Sequence, residues 1–131
     1  MRGPTIEDDG WQLLDAQERH LEFPGSFEIP DERIRTALVV GDFAKLLFSI
    51  GTTGEEGDQE TVERMWVVVS ERVEGRYLGL LDNEPESIAE NDRLWRGVEL
   101  PFGPEHVIDA QRGDAESVAL SKGEPLRRWP R

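Results

Sequence analysis

Cysteine is absent from the 131-residue sequence, which excludes disulfides, thiol nucleophiles and thiolate metal sites. Positive charge is scarce: 15 Lys and Arg stand against 28 Asp and Glu, for a formal net charge of −13. A surface that tracks nucleic-acid phosphates needs the opposite balance, so general nucleic-acid binding is a poor fit. Long apolar runs are also missing. Stretches such as Val67 to Val69 and Leu80 to Leu81 fall far short of the ~20 residues a membrane-spanning helix needs. The segment from Met1 to Asp9 is polar and acidic and has no apolar core of a signal peptide. These absences set the expectation of a cytoplasmic protein that does not enter a membrane.

What is present is ordinary for one globular domain. Hydrophobic residues make up 37%, and the length suits a single core rather than two. The organisation expected is a flexible N-terminus over 1–10, one α+β domain over 11–110 and a polar tail over 111–131. Residues 1–126 carry a net −16 and the last five carry +3, so Arg127-Arg128-Trp129-Pro130-Arg131 is the one basic cluster. It reads either as a mobile tail whose arginines graze the acidic body or as a functional hook.

Leu13, Leu14, Ala16, Gln17, His20 and Leu21 have the spacing of a short helix, stopped by Phe23-Pro24-Gly25. Ser26-Phe27-Glu28-Ile29 alternates as a short strand does. Pro30-Asp31-Glu32-Arg33 reads as a helix start, with Ile34, Ala37 and Leu38 on one face and Gly41 as its left-handed cap. From Asp42 the period changes to two. Phe43 to Ile50 and Thr61 to Glu71 read as strands, and Val73-Glu74-Gly75 turns the second into a hairpin with Arg76 to Leu81. Leu94 to Phe102 and Val107-Ile108 supply the last strand signals. The expected fold is α+β: one or two short N-terminal helices packed on a small, strongly bent antiparallel sheet or partly open barrel.

Chemistry-bearing motifs are few. His20 and His106 lack metal-ligand spacing, no cofactor motif is present, and no serine-nucleophile elbow occurs. Gly51-Thr52-Thr53-Gly54-Glu55-Glu56-Gly57 has neither the Lys nor the following helix of a phosphate loop, and its acids would repel an anion. It reads as a flexible connection. Asp82-Asn83-Glu84 supplies oxygen ligands, but Ser87 stands where a calcium loop of the EF-hand kind needs glycine. No catalytic residues and no metal ligands are assigned. Trp66 reads as core, and Trp95 as either a core cap or an interface residue.

The informative feature is where the acids sit. Residues 55–63 hold Glu55, Glu56, Asp58, Glu60 and Glu63 without a base, and residues 82–92 hold Asp82, Glu84, Glu86, Glu90 and Asp92, also without a base. The first group enters one arm of the expected hairpin and the second leaves the other, so the open end of the hairpin brings them together. That surface would steer a basic partner with a salt-sensitive effect. The competing reading is a pair of solvated loops that serve solubility.

Gly41-Asp42-Phe43-Ala44-Lys45-Leu46-Leu47-Phe48, Glu63-Arg64-Met65-Trp66-Val67-Val68-Val69, Tyr77-Leu78-Gly79-Leu80-Leu81-Asp82-Asn83-Glu84-Pro85 and Gly103-Pro104-Glu105-His106-Val107-Ile108-Asp109 follow one another in order. With Trp11 and Ser26-Phe27-Glu28-Ile29-Pro30, they make residues 11–109 resemble the bacterial domain of unknown function 2314 family and the similar immunity-protein-33-like domains found near polymorphic toxin systems. The Gly51–Glu60 insertion, the Glu86–Arg93 linker and the tail past Asp109 lie outside this likeness. The resemblance brings no activity and no catalytic residues, and some of the similar domains carry an immunity role; together with the acidic stretches it sets the expectation of a small, immunity-like binding module. The functional expectation is an acidic surface formed by Glu55, Glu56, Asp58, Asp82, Glu84, Glu86 and Trp95 that binds a basic protein such as a toxin domain. The alternative is a small-molecule-binding or accessory domain, with a pocket lined by Trp66, Trp95 or His106. Oligomeric state is left open.

Overall fold

Alternation of apolar and polar side chains from Phe43 onward builds the frame on which everything else rests. The computed structural model describes residues 1–54, 57–86 and 93–131. In chain order its strands are β1 (Trp11–Leu13), β2 (Phe43–Gly54), β3 (Gly57–Val73), β4 (Arg76–Leu81), β5 (Glu99–Phe102) and β6 (Val107–Gln111). Its α-helices are α1 (Ile6–Asp9), α2 (Ala16–Glu22), α3 (Glu32–Arg35) and α4 (Ala115–Ser121), and a single 3₁₀ turn covers Pro104–His106. The sheet runs β1-β2-β3-β4-β5, all antiparallel, and β6 also pairs with β2. It curls into a half-barrel with the helices packed around it, an α+β fold.

The strand signals translate directly. β2 and β3 stay in register from Phe43↔Val68 to Gly54↔Gly57, so residues 51–54 and Gly57, expected to belong to a flexible connection, are paired in the outer end of a long hairpin; Glu55 and Glu56 lie outside the described residues. Glu74 and Gly75 both take left-handed backbone conformations (φ 51° and 81°) between Val73 and Arg76. That is the two-residue turn whose twist matches a β-hairpin. The ladder slips by one residue at Ser70 in β3 and again between Lys45 and Leu46 in β2 against β6. Such bulges bend a strand and increase its twist, and here they help curl the sheet around its core. Ala44, Leu46, Phe48 and Ile50 of β2 and Met65, Val67 and Val69 of β3 line the concave side, joined by Tyr77, Leu100, Phe102 and Val107.

The helices are short, and aspartates cap three of them. Asp15 accepts from the Glu18 N–H, Asp31 from the Arg33 N–H and Asp114 from the Ser117 N–H, each satisfying a donor the helix itself leaves open. Three expectations change. Leu13 belongs to β1, opposite Phe48, rather than to the first helix. Ser26–Ile29 is not a strand: the Phe27 N–H donates to the Phe23 carbonyl, and the Phe27 carbonyl pairs with His20 Nδ1 at 2.6 Å. The expected Leu94–Phe102 strand begins only at Glu99, because Gly97 is left-handed (φ 93°) and the Val98 N–H folds back onto the Trp95 carbonyl.

The helix expected to run to Gly41 ends at Arg35. Tyr77 is the cause: its hydroxyl, on β4, donates to the Arg35 carbonyl at 2.8 Å and accepts from the Leu38 N–H at 3.2 Å. Gly41 is left-handed (φ 95°), but it sits in the turn two residues before β2 and is packed so closely against Val118 of α4 that a Cβ would collide.

Tyr77 therefore yields a test. Its ring is buried and stacked on Phe102 at 5.1 Å, so Tyr77→Phe keeps the packing and leaves two buried backbone groups unpaired. Urea unfolding is expected to show a loss of about 1–3 kcal/mol with an unchanged m-value.

Candidate functional site

The acidic surface forms where β3 runs on beyond its partner β4. The β3–β4 ladder closes at Val67↔Leu81, yet the chain after Leu81 keeps following β3 through other bonds. The Asp82 N–H donates to the Trp66 carbonyl (2.9 Å), the Trp66 N–H donates to Asn83 Oδ1 (2.6 Å), and the Glu86 N–H donates to Glu63 Oε1 (2.7 Å). Side chains thus substitute for a missing strand. Their effect is to lay residues 82–86 beside residues 63–66, so the two acidic stretches meet at Glu63, Glu84 and Glu86.

Glu84 and Glu86 are exposed. Asp58 and Glu60 are exposed too, but they lie farther along the hairpin arm, about 17 Å from Asp58 to Glu63 at the usual strand rise. Thr53 Oγ1 donates to Asp58 across the arm at 3.2 Å. Asp82 is half-buried and ion-paired with Arg96 at 3.0 Å, which takes it out of the uncompensated set. Trp95, 43% exposed, stands next to Arg96 on the same turn. Glu55, Glu56, Glu90 and Asp92 lie outside the described residues.

Trp66 is not core. It is half-buried on the outer face of β3, directly across from Lys45, whose ammonium lies 5.5 Å from the ring centroid. His106 is half-buried and serves the fold. The Gly103 N–H donates to its Nδ1 at 3.0 Å, which needs a lone pair there and so the neutral ring. Burial pushes the imidazole pKa below its usual value, against the pull of Glu105 (3.5 Å from Nδ1) and of Asp15, while Arg76 adds to the lowering. Among the described residues, no group of three or more His, Asp and Glu is arranged to hold a metal ion. No helix there is long and apolar enough to cross a membrane.

The C-terminal segment departs most from expectation. It forms α4 and then docks on the edge of β5: the Glu99 N–H donates to the Arg127 carbonyl and the Leu126 N–H to the Gly97 carbonyl, both at 2.9 Å. Glu99 is only 4% exposed and accepts from the Trp129 N–H and from Arg131 Nη1, each at 2.9 Å. Trp129 is in turn buried edge-on against Trp11 at 5.9 Å. The N-terminus is tied in as well. Arg2 makes a two-pronged ion pair with Asp9 (2.7 and 2.8 Å), and the Arg2 carbonyl accepts from the Trp129 indole N–H. Together these residues enclose a cleft of about 360 Å³. The signal for it lay in the sequence as a Trp and a Pro inside an otherwise polar segment.

No family model matches the chain, and neither a curated protein nor a solved structure is significantly similar to it.

Burial alone would raise the Glu99 pKa. Arg131 and the Trp129 N–H outweigh it and hold the carboxyl below the usual glutamate value. A depressed carboxyl pKa contributes stability above the unfolded pKa of about 4.3, and that contribution disappears as pH falls through the folded value. Glu99→Gln is expected to cost roughly 1–3 kcal/mol at pH 7, with the gap to the parent closing in thermal unfolding as pH falls below the unfolded value of about 4.3. His106 adds a loss that begins at higher pH. Its lowered pKa means stability falls once the pH drops below about 6.5, and His106→Asn should flatten that limb.

Proposed function

We propose that the chain is a small binding module whose acidic surface receives a basic protein partner, in keeping with its resemblance to immunity-type domains. The observation that carries this reading is the Glu86 N–H to Glu63 carboxylate bond, which joins the two acidic stretches through residues 23 apart in the sequence. Charges spread evenly for solubility have no need of such a join. Here they continue along the exposed arm through Glu60 and Asp58, and Trp95 stands nearby as an aromatic anchor of the kind that dominates interface energetics. A basic partner would be steered by the field of the arm and held by contacts at the join.

The small-molecule reading that places its pocket at Trp66, Trp95 or His106 has less support. None of the three lines the cleft described above, and Lys45 stands over the Trp66 ring.

The test is a variant carrying Asp58→Asn, Glu60→Gln, Glu84→Gln and Glu86→Gln, all at exposed positions where unfolding temperature should hold. Capture from lysate of the source cell at low salt should recover a basic protein with the parent chain. It should release it near 0.5 M salt, where the screening length is only about 4 Å. With the purified partner, the variant should associate about tenfold more slowly or worse. A partner that binds parent and variant alike, or that ignores salt, contradicts the reading.

A further inference from the structure

The cleft between α1 and the C-terminal segment has a different electrostatic character from the rest of the molecule. Arg2, Arg93, Arg127 and Arg128 all face it, although the chain as a whole carries −13. Two of the three acids in its wall are already neutralised. Asp9 is held by both prongs of Arg2 and by the Thr5 N–H, and its pKa is lowered chiefly by the Arg2 bond. Glu99 is held by Arg131 and the Trp129 N–H. Asp8, the third acid, is exposed.

Arg127 and Arg128 are not used up in the same way. Arg127 makes no side-chain hydrogen bond or ion pair with any described residue, and its charge is felt at Asp9. Arg128 has only a long, solvent-exposed pair with Glu124 at 3.6 Å. Arg93 donates to the Asp8 carbonyl at 3.4 Å. Trp11, Val98, Trp129 and Pro130 complete the lining; the first three are buried and Pro130 is exposed. The Trp129 indole is fixed on three sides, by its N–H bond to Arg2, by the Arg2 guanidinium 4.6 Å from the ring centroid and by Trp11.

The geometry points to this cleft as a binding site for a small organic oxyanion, a phosphate ester or carboxylate whose charge Arg127 and Arg128 take while its body lies against Pro130. Three physical facts agree. The planar fork of a guanidinium donates two parallel hydrogen bonds to a carboxylate or phosphate. A cleft of about 360 Å³ falls in the size range of small-ligand sites. The acidic arm is screened over about 8 Å at physiological salt, so the near arginines decide the local potential.

The test uses three probes with one ring: phenyl phosphate, benzoate and the uncharged phenol, each titrated into ¹⁵N-labelled full-length protein. The Trp129 indole N–H and the amides of Val98, Glu99 and Arg127 are expected to shift saturably with phenyl phosphate or benzoate and to respond far less to phenol. The tighter of the two anions identifies which oxyanion the site prefers. Arg127→Ser should weaken that binding about tenfold, while Arg33→Ser, an exposed arginine on α3, should leave it unchanged. Phenol shifts equal to those of the anions overturn the proposal. So do shifts that never saturate, or an Arg33→Ser effect as large as that of Arg127→Ser.

Discussion

A carboxylate with almost no access to solvent holds the two ends of this fold together. Glu99 sits at the start of β5, the last strand of the main sheet path, where an open edge would otherwise leave its backbone groups unpaired. Its own N–H takes the Arg127 carbonyl, and its side chain takes the Trp129 N–H and Arg131. Because an ionised carboxylate is costly to bury without partners, the arrangement stands or falls as a unit. With the clamp in place, Trp129 packs on Trp11 and Arg2 packs on Trp129, so the half-barrel is closed off at that edge. Edge strands left open invite pairing with other chains, and the C-terminal segment removes that hazard.

The large acidic excess is not one feature with one purpose. Asp15, Asp31 and Asp114 are helix caps. Asp9 and Glu99 are ion-paired anchors, Asp82 is matched by Arg96, and Glu105 is matched by Arg76 at 2.7 Å. Asp58, Glu60, Glu84 and Glu86 line the hairpin arm and its join with residues 82–86 and are exposed, while other acids without an ion pair, such as Glu7, Glu22, Glu28 and Glu116, are scattered over the remaining surface. Arginine is divided in a similar way. Arg35 is buried and donates to the Pro30 and Pro104 carbonyls, Arg2 and Arg131 close ion pairs, and Arg127 and Arg128 are left facing a cleft. The molecule thus presents an acidic arm and a separate arginine-rich hollow, with α1 between them through Ile6 and Gly10 on one side and Asp8 and Asp9 on the other.

Elements whose cause is local were legible in the sequence. The β2, β3 and β4 strands announce themselves by period-two alternation and β-branched residues, and the Glu74-Gly75 turn by its chemistry. The meeting of the acidic stretches followed from that hairpin, although the bonds that make it, through Asn83 and Glu63, did not. Asn83 reads as a turn residue yet binds the Trp66 N–H on a neighbouring strand. Elements with a distant cause were misread. The helix after Pro30 is cut short by the Tyr77 hydroxyl, about forty residues away along the chain, and the polar tail is ordered by Glu99, thirty residues from Trp129. Propensity and periodicity carry no information about such partners. The arginine-lined cleft was missed for the same reason: it exists only after the two chain ends have docked.

Amide hydrogen exchange of Trp129 tests this account most directly. If Glu99 clamps the segment to the sheet, the Trp129 amide is released only when the fold opens. It should then exchange as slowly as Leu80 in the centre of β4, and Glu99→Gln should accelerate it selectively. Exchange of Trp129 at the rate of an unstructured chain, while Leu80 stays protected, would contradict the clamp and with it the cleft that depends on it.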